Sequence, residues 1–347
     1  MTNGSFMHKK IIDVAIGVLR FGDEFLLARR LAHQHQGDKF EFIGGKVQST
    51  ETPRQALVRE VAEELGLDIH HDTLVKMGRI CHDYDDRAVC LHVFECVLDD
   101  EQYQAFKACT HGKQGQGLHW YIQADLLRLQ HEFPKANAPI FAWLMLPKQV
   151  VISGALSEFD GGQVDSVQAW CEFYAKRLPM GATLYARLQC DDELACQAIL
   201  SLAAQRSDIR WIVPIRYYQD FAQIMQGVPV LAVHLTQDAL LMYAKTAQPN
   251  IASVLQALPI IASTHDEFSV QTLNQLSKQA KVLGAFISPV KPTQTHPNAT
   301  TLGWENFDRL ANLCDVPVLA LGGMNADDLP IAQKHGAWGV SGIRGFV

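Results

Sequence analysis

Residues 45–67 read GKVQSTETPRQALVREVAEELGL. This stretch fits, without a mismatch, the pattern G-x5-E-x7-R-E-U-x-E-E-x-G-U, in which U is a bulky apolar residue. Nine constrained positions within 23 residues make a chance match a poor explanation. The nine positions are Gly45, Glu51, Arg59, Glu60, Val61, Glu63, Glu64, Gly66 and Leu67.

A helix from about Pro53 to Leu65 is predicted within this stretch, because proline at the first helical position loses no needed backbone donor. Glu60, Glu63 and Glu64 lie three and four residues apart, so their carboxylates share one face of the helix. An apolar stripe recurs at the same spacing and comprises Ala56, Leu57, Val61 and Leu65.

Three neighbouring carboxylates repel one another, and a divalent cation relieves that repulsion. Their hard oxygens suit Mg²⁺ or Mn²⁺. Composition alone also fits a solvated acidic helix face. The glycines favour the metal site, because Gly66 fits a helix C-cap and Gly44 and Gly45 allow the backbone to approach an ion closely. Arg59 is expected to pair with Glu51 or to orient a glutamate.

The complete motif resembles the signature of the Nudix hydrolases, which implies Mg²⁺-dependent attack of water on a nucleoside diphosphate linked to another group. LLARRLAHQHQGDKFEFIGGK at 26–46 and PKANAP at 134–139 resemble the MutT subfamily. That likeness implies an 8-oxo-dGTP diphosphatase, which forms 8-oxo-dGMP and pyrophosphate, sanitises the nucleotide pool and prevents mutation. The alternative is a Nudix hydrolase of another diphosphate, such as a nucleotide sugar or a thiamine-related compound.

The resemblance implies substrate contacts at several positions. Arg30 and His35 match residues that contact the nucleotide, and Asn137 matches the asparagine that reads the oxidised purine. Each of these residues, taken singly, also fits an ordinary loop or turn position. The segment that lines the base and metal sites is matched by Glu41, Phe42, Ile43 and Gly44.

The implied metal ligands are Glu60, Glu63, Glu64 and the Gly44 carbonyl, of which Glu64 and Gly44 are the firmest pair. Glu60 or Glu63 would take a proton from the attacking water, and the sequence does not rank them. Arg59 is expected to assist catalysis.

Two positions depart from the subfamily pattern. Ile43 stands where proline is usual, and His119 stands roughly where a further acidic metal ligand is found. A neutral imidazole can bind a metal but titrates near neutrality, so the number of metal ions stays open.

The chain has 347 residues, and a Nudix domain needs only the first 140 or so, so a second domain is expected. We predict domains at 1–147 and 148–347, divided at Leu146-Pro147-Lys148. Hydrophobic residues make up 48% of the chain and charged residues 19%, which fits two ordinary cores. Net charge is −7, so a free nucleotide is a better substrate than duplex DNA.

The N-terminal sequence shows no signal-peptide core, and no segment reaches the length of a membrane span, so we expect a cytoplasmic protein. The eight cysteines include no CxxC pair, and we expect them to be reduced and mostly buried. The oligomeric state is not indicated by the sequence.

Apolar or alternating runs predict strands at 11–18, 24–28, 74–80 and 89–97, with further helices at 101–109 and 138–146. Together with the motif helix they indicate a mixed sheet in a Nudix-type α/β/α sandwich. From residue 149 onward, eight short β-rich runs alternate with helical segments, which predicts a TIM (β/α)8 barrel. These runs begin at 150, 182, 210, 230, 260, 284, 317 and 339.

The segments STHDEFSVQ, SPVKPTQTHPNATTLGWENF and PVLALGGMNADDL between 260 and 343 resemble thiamine phosphate synthases and their TenI relatives. Pro214-Ile215-Arg216 replaces the Asn-Asp-Arg that serves Mg²⁺ and pyrophosphate in the synthases, so we expect no synthase activity. A TenI-like enzyme and a non-catalytic binding module both stay open. Phosphate-contacting positions are matched by Thr293, Thr295, Gly323 and Ser341.

Overall fold

A computed structural model of the protein describes residues 11–33, 37–83, 88–159, 165–246, 254, 256–293 and 300–347. The predicted site residues His35 and Thr295 lie outside these described residues. The chain divides into two compact units, Met1–Phe141 and Ala142–Val347. This division falls shortly before the junction predicted at Pro147. No helix in the described ranges is both long and apolar enough to cross a membrane.

The first unit is built on a seven-stranded sheet. Its strands are β1 Ile11–Phe21, β2 Glu24–Arg29, β3 Phe40–Glu41, β4 Ile43–Lys46, β5 Leu74–Asp83, β6 Ala88–Val97 and β7 Gly117–Ile122. The helices that begin in this unit are α1 Pro53–Glu64, α2 Asp100–Lys107, α3 Gln123–Arg128 and α4 Ala138–Trp143.

The sheet is mixed, as predicted. Strand β1 pairs with β6 in parallel and with β2 and β4 in antiparallel orientation. Strands β3 and β7 flank β2, and β5 forms the edge beyond β6. Because side chains alternate along a strand, Ala15 packs beneath α1 while Val14 and Ile16 point to the other face. One face of β1 therefore packs against α1, and the other face is left to line a cleft.

Helix α1 forms where the motif predicts it, for reasons that are local. Thr52 caps the N-terminus by accepting from the Gln55 backbone N–H, and the Gln55 side chain accepts from the Thr52 N–H. Such a capping residue contributes about 1 kcal/mol. Leu65 is the C-cap and Gly66 follows with φ +75°, a left-handed conformation that favours glycine.

The apolar stripe of α1 holds the helix on the sheet. Leu57 and Val61 are fully buried among residues from β1, β2 and β6. Truncating such a side chain to alanine costs about 2–5 kcal/mol. The stripe fixes the rotation of α1, and its acidic face is thereby directed toward β4.

The second unit is a closed barrel of eight parallel strands. Every predicted run forms a strand, and the predicted TIM barrel is confirmed. Its strands are β8 Gln149–Ile152, β9 Thr183–Tyr185, β10 Arg210–Pro214, β11 Val230–Leu235, β12 Ile260–Thr264, β13 Val282–Ile287, β14 Val318–Leu321 and β15 Gly339–Gly342.

Helices alternate with the barrel strands and cover them, so the strands are apolar nearly throughout. Strand β13, for example, is buried at every position. The helices described around the barrel are α5 Ser166–Arg177, α6 Asp192–Gln205, α7 Ile215–Asp220, α8 Gln237–Thr246, α9 Glu267–Leu276, α10 Gly303–Leu313 and α11 Leu329–Lys334.

Candidate active site

Arg59 organises the acidic face of α1. Its guanidinium lies 2.7 Å from Glu51, 2.8 Å from Glu60 and 3.2 Å from Glu63. It also donates to the Lys46 carbonyl oxygen at 3.0 Å. These contacts tie the segment before α1 to the helix. The two roles expected for Arg59, pairing with Glu51 and orienting a glutamate, are both present in the geometry.

Hydrogen bonds from Arg59 also set the protonation of this cluster. They hold the pKa of Glu51 below its ordinary value, and the Gln48 N–H contributes to the same shift. The same bonds raise the pKa of Arg59. Arg59 therefore stays charged and Glu51 stays ionised over the physiological pH range, so the two side chains form a stable ion pair.

Close approach of β4 to α1 depends on Gly45. A Cβ atom at this position would lie 2.2 Å from the Glu60 carboxyl carbon. Gly44 precedes it with φ +152°, and a Cβ there would lie 2.1 Å from the Ala15 carbonyl oxygen. Only glycines let the strand pass between β1 and the helix carboxylates. This proximity explains why the motif begins with glycine.

Glu64 is the most perturbed carboxyl of the cluster. Burial, followed by the charges of Glu41, Glu60 and Glu63, raises its pKa from 4.5 to about 8. Gln116 opposes the shift by donating a hydrogen bond to the Glu64 side chain. The site thus disfavours the ionised form of the Glu64 carboxyl group, and a bound cation would reverse that preference.

Glu41 extends the acidic cluster from α1 to β3. It accepts a hydrogen bond from Arg30 Nε at 2.6 Å. Burial raises the pKa of Glu41, and Arg30 partly opposes that rise. The charge of Glu41 is felt at Glu64, so the two acids belong to one electrostatic site.

A cleft opens beside this cluster, on the face of the sheet away from α1. Val14, Ile16 and Leu91 provide apolar walls. Glu41 and Gly44 also line the cleft, so it adjoins the acidic cluster directly. The polar lining residues are Arg30, Glu41, Lys46 and Asn137.

Asn137 stands out among the polar residues of the cleft. It is 5% exposed, and in the described part of the chain its side-chain amide has no hydrogen-bond partner, although its backbone N–H donates to the Pro134 carbonyl oxygen. A buried amide without a partner carries two donors and an acceptor for a ligand. Asn137 therefore has the chemistry to read the edge of a base.

Two residues of the matched segment are buried beside the cleft in different ways. Phe42 lines it and also packs against Phe133, with ring centroids 5.2 Å apart. The Ile43 side chain belongs to the hydrophobic core beneath α1 and is fully buried. Ile43 can therefore meet a ligand only through its backbone.

The geometry corrects the expectation placed on His119. His119 pairs with Leu27 on β7, and its imidazole lies edge-on to Phe40 with centroids 5.7 Å apart. Burial lowers its pKa, and the charges that add to this shift are those of Arg29 and His111. Leu118 belongs to the core beneath α1, and side chains alternate along a strand, so His119 projects from the face of β7 away from the helix glutamates.

Gln116 occupies the place at the acidic cluster that the sequence assigned to His119. It donates to the Glu64 side chain, and its Nε2 lies 3.5 Å from the Glu64 backbone oxygen. The turn that carries it is closed by the Gly112 N–H donating to the Gln116 carbonyl oxygen at 2.9 Å. An amide oxygen can ligate a hard cation without adding charge. Sequence reasoning missed Gln116 because glutamine in a polar turn gives no distinctive signal.

The donor types of the cluster suit a divalent metal ion, although among the described residues the ligand atoms of Glu60, Glu63 and Glu64 do not all lie within 4.8 Å of one another. Glu60, Glu63 and Glu64 offer carboxylate oxygens, and Gly44 offers a nearby backbone carbonyl. Carboxylates outnumber guanidinium groups in the cluster, and the pKa of Glu64 is raised first by burial and then by the neighbouring carboxylates. All-oxygen donors select Mg²⁺, Mn²⁺ or Ca²⁺ over softer metals.

The barrel holds a separate buried polar group near the carboxyl ends of its strands. His234 lies 2.8 Å through Nδ1 from the Tyr185 hydroxyl and 2.8 Å through Nε2 from the Ser263 hydroxyl. Burial, with the charges of Arg187 and other cations, lowers the pKa of His234 to about 3. The imidazole is therefore neutral and fully hydrogen-bonded.

The barrel residues matched to phosphate contacts are placed differently from one another. Gly323 has φ +65° and follows β14, where its backbone is at the strand ends. The Ser341 hydroxyl is buried and donates to the Val150 carbonyl oxygen at 2.9 Å, so its proton is already used within the barrel. Thr293 is half-buried and also makes a contact within the protein.

The segment that departs from the synthase pattern has taken up a structural role. Pro214 ends β10 and is the N-cap of α7, whose first residue is Ile215. Arg216 pairs with Asp192, its Nε lying 2.8 Å from a carboxylate oxygen. Pro214 and Ile215 have no side-chain oxygen with which to hold a metal ion.

Comparison with known proteins gives a separate match for each unit. The family model of the NUDIX domain matches residues 11–144. The family model of thiamine monophosphate synthase matches residues 193–346.

Three relatives illustrate these matches. The 8-oxo-dGTP diphosphatase of Escherichia coli (strain K12) is 32% identical over 136 residues, covering 39% of this chain and 97% of the relative. The CTP pyrophosphohydrolase of the same strain is 34% identical over 106 residues, covering 29% of this chain and 77% of the relative. The putative thiamine-phosphate synthase 2 of Aquifex aeolicus (strain VF5) is 32% identical over 82 residues, covering 23% of this chain and 44% of the relative.

The first match spans nearly the whole of a Nudix relative, and the acidic helix, glycine strand and cleft form one site in the corresponding unit. The barrel agrees in position with the second family model. The chain therefore belongs to the Nudix hydrolases, through an N-terminal MutT-like domain, and carries a C-terminal thiamine monophosphate synthase (TMP-TENI) domain fused to it.

Proposed function

We propose that the protein is an 8-oxo-dGTP diphosphatase that depends on Mg²⁺, with Mn²⁺ as a substitute, and that it removes the oxidised nucleotide from the nucleotide pool. The single observation that carries this proposal is Asn137, a buried amide without a partner among the described residues, facing the cleft. The 8-oxo-dGTP diphosphatase relative supports the same substrate.

The cleft suits a purine and its phosphates in a definite orientation. The base would lie against the apolar walls of Val14, Ile16 and Leu91, where Asn137 can read its edge. The phosphates would extend past Gly44 toward the acidic cluster, and Arg30 is placed to pair with a phosphate oxygen. This orientation follows from charge, because the apolar walls can hold the base but cannot solvate the phosphates.

Glu60, Glu63, Glu64 and the Gly44 carbonyl would hold the metal ion. A metal ion bound there supplies the positive charge that neutralises phosphate oxygens and polarises phosphorus. Glu60 or Glu63 would accept a proton from the attacking water, and Arg59 is a positioning residue because it contacts both. Proton transfer to a carboxylate and attack at phosphorus yield 8-oxo-dGMP and pyrophosphate.

The test is a comparison of kcat/KM for pyrophosphate release from 8-oxo-dGTP, dGTP and CTP, with loss of nucleotide sugars and thiamine pyrophosphate followed in parallel. We expect 8-oxo-dGTP to be preferred, and Asn137→Ala to reduce its preference over dGTP by about 10–100-fold, since a buried hydrogen bond of this kind is worth about 1–3 kcal/mol. Glu64→Gln should abolish turnover of every substrate. An unchanged preference in Asn137→Ala would refute the assigned base contact.

A second candidate is a Nudix hydrolase of another diphosphate. The CTP pyrophosphohydrolase relative favours a different nucleoside triphosphate, and the fused TMP-TENI domain favours a thiamine-related diphosphate. In the same panel, a higher kcat/KM for one of these compounds would replace the first candidate. The barrel is proposed to bind a phosphorylated small molecule without synthase activity, as a TenI-like enzyme or as a binding module.

A further inference from the structure

Four side chains with metal-binding atoms meet at one end of the first unit's sheet, outside the acidic cluster. Strand pairing places Asp13 of β1 opposite Cys90 of β6, and Cys90 opposite Cys81 of β5. His92 lies two residues beyond Cys90 on β6. Because side chains at alternate positions share a face, all four residues project from the same side of the sheet.

The distances bring these atoms close to one coordination sphere. The ligating atoms of Asp13, Cys90 and His92 all lie within 4.8 Å of one another. His92 Nε2 is 2.8 Å from Asp13 Oδ1, and the Cys81 thiol is hydrogen-bonded to the Cys90 thiol. A tetrahedral ion with bonds of about 2.0–2.3 Å separates its ligand atoms by about 3.3–3.8 Å. The Cys81 sulfur lies outside this group of three, so its side chain must rotate toward the Asp13 and His92 ligand atoms to complete that geometry.

One side of the cluster is buried, and the other side, which we call the rim, is open to solvent. Cys90 is 5% exposed, whereas the side chains of His92 and Asp13 are 21% and 50% exposed. Cys81 is exposed on the edge strand β5. An ion can therefore enter from solvent and still be held by a buried thiolate. Arg79 pairs with His92 across β5 and β6, and its positive charge acts on Cys90, so it opposes a cation at this rim.

We propose that Asp13, Cys81, Cys90 and His92 bind one Zn²⁺ ion in a structural site that is distinct from the glutamates of α1. Two thiolates, one imidazole and one carboxylate are donor types that tetrahedral zinc accepts, and sulfur donors select against Mg²⁺. Binding converts the two thiols to thiolates and releases their two protons to solvent. No change in oxidation state occurs.

Such an ion would stabilise the strand end that adjoins the candidate active site. It would link β1, β5 and β6, of which β5 is otherwise held on one side only. The Asp13 carbonyl oxygen accepts from the Val47 N–H at 2.9 Å, immediately after β4. Zinc should therefore raise the thermal unfolding midpoint of the first unit, since a ligand that binds only the folded state stabilises it.

Cobalt substitution tests the proposal directly. The full-length chain, stripped of metal and kept reduced with a phosphine that binds cobalt weakly, is titrated with Co²⁺. With excess Mg²⁺ present to occupy the glutamates of α1, we expect one equivalent of Co²⁺ to develop the visible bands of tetrahedral cobalt and a near-ultraviolet thiolate charge-transfer band. Zn²⁺ should abolish these bands by displacement. Cys90→Ser and Cys81→Ser should lose or weaken the charge-transfer band, whereas Cys109→Ser, a thiol of the same unit outside the cluster, should keep it.

His92→Gln provides a second variant at the rim of the site, in case Cys90→Ser fails to fold. It should lose the tetrahedral bands with an unchanged far-ultraviolet circular dichroism spectrum, while its Mg²⁺-dependent hydrolysis at saturating Mg²⁺ stays that of the parent chain. Glu64→Gln should show the reverse: no hydrolysis and normal cobalt bands. A wild-type spectrum without a charge-transfer band, an unchanged charge-transfer band in both Cys90→Ser and Cys81→Ser, or unchanged tetrahedral bands in His92→Gln would overturn the zinc site and leave the proposed hydrolase function untouched.

Discussion

Replacing Glu41 with glutamine should lower the pH at which the candidate active site binds a divalent cation. Burial is the main reason that ionisation of Glu64 is disfavoured, and the negative charge of Glu41 is the second. Glutamine in its place removes that negative charge and keeps an amide oxygen that can accept from Arg30 Nε. Loss of this charge lowers the pKa of Glu64, because the ionised form of Glu64 is no longer repelled by Glu41.

The magnitude follows from the pKa of Glu64, which is raised from 4.5 to about 8. Each pKa unit corresponds to about 1.36 kcal/mol, so the site disfavours the ionised form by roughly 5 kcal/mol. A cation must displace the proton to bind, so its apparent association constant should rise about tenfold per pH unit below about pH 8 and level off above it. The pH at which the association constant levels off is called the break. Removing one nearby like charge should lower the break by about one pH unit.

The same shift makes a prediction about stability without metal. Glu64 has a folded-state pKa above its unfolded value, so the folded chain binds the extra proton between pH 4.5 and about 8. The free energy of unfolding contributed by this group therefore falls as the pH rises through that window. Saturating Mg²⁺ should reverse the loss, because the ion binds only the folded cluster.

Calorimetric titration with Mn²⁺ across about pH 6 to 9 would measure the break, and Glu101→Gln, an exposed carboxylate at the start of α2, is the matched control. The control should titrate like the parent chain. An affinity independent of pH over this range would show that Glu64 is ionised throughout and would refute the crowding argument. A break that is equal in Glu41→Gln and the parent would remove Glu41 from the site.

Two further outcomes are expected. Gln116→Ala should weaken cation binding at neutral pH by about tenfold, because it removes the hydrogen bond that favours ionised Glu64. His119→Asn should bind the cation as the parent chain does. The same calorimetry measures both variants, and weaker binding in His119→Asn than in Gln116→Ala would restore His119 as a ligand. The full chain should form no thiamine phosphate when assayed beside an active synthase, since Pro214 and Ile215 cannot hold a metal ion; chromatographic detection of the product would contradict this expectation.

The fold was predictable where local pattern and packing agree. The α1 stripe and the eight barrel runs each carry a strong apolar signal, and the structure confirms them. The strands β3, β4 and β7 were not predicted. Gly44 and Gly45 make up half of β4 and offer no side-chain pattern, and β7 reads GLHWYI without strict alternation. Their pairing with β1 and β2 is a tertiary effect that propensity does not encode.

The candidate site shows the same division. Spacing along one helix places Glu60, Glu63 and Glu64 on a common face, so their association follows from the sequence alone. The exchange of His119 for Gln116 depends instead on how the turn before β7 closes. The meeting of Cys81 with Cys90 depends on the register of β5 against β6, which shifts between Lys76 and Gly78. A single residue of slip would reverse the faces, and sequence spacing does not fix it.

Glu64 and His234 show why the two units call for different experiments. Both are buried groups held uncharged near neutral pH, by burial in each case. Like charges from Glu41, Glu60 and Glu63 add to the effect at Glu64, and a bound cation would take the place of the proton that now neutralises this group. His234 has both ring nitrogens satisfied by the hydroxyls of Tyr185 and Ser263, so no ligand is needed to complete it. Metal titration should therefore perturb the first unit strongly, whereas the barrel must be probed with phosphorylated compounds at its strand ends.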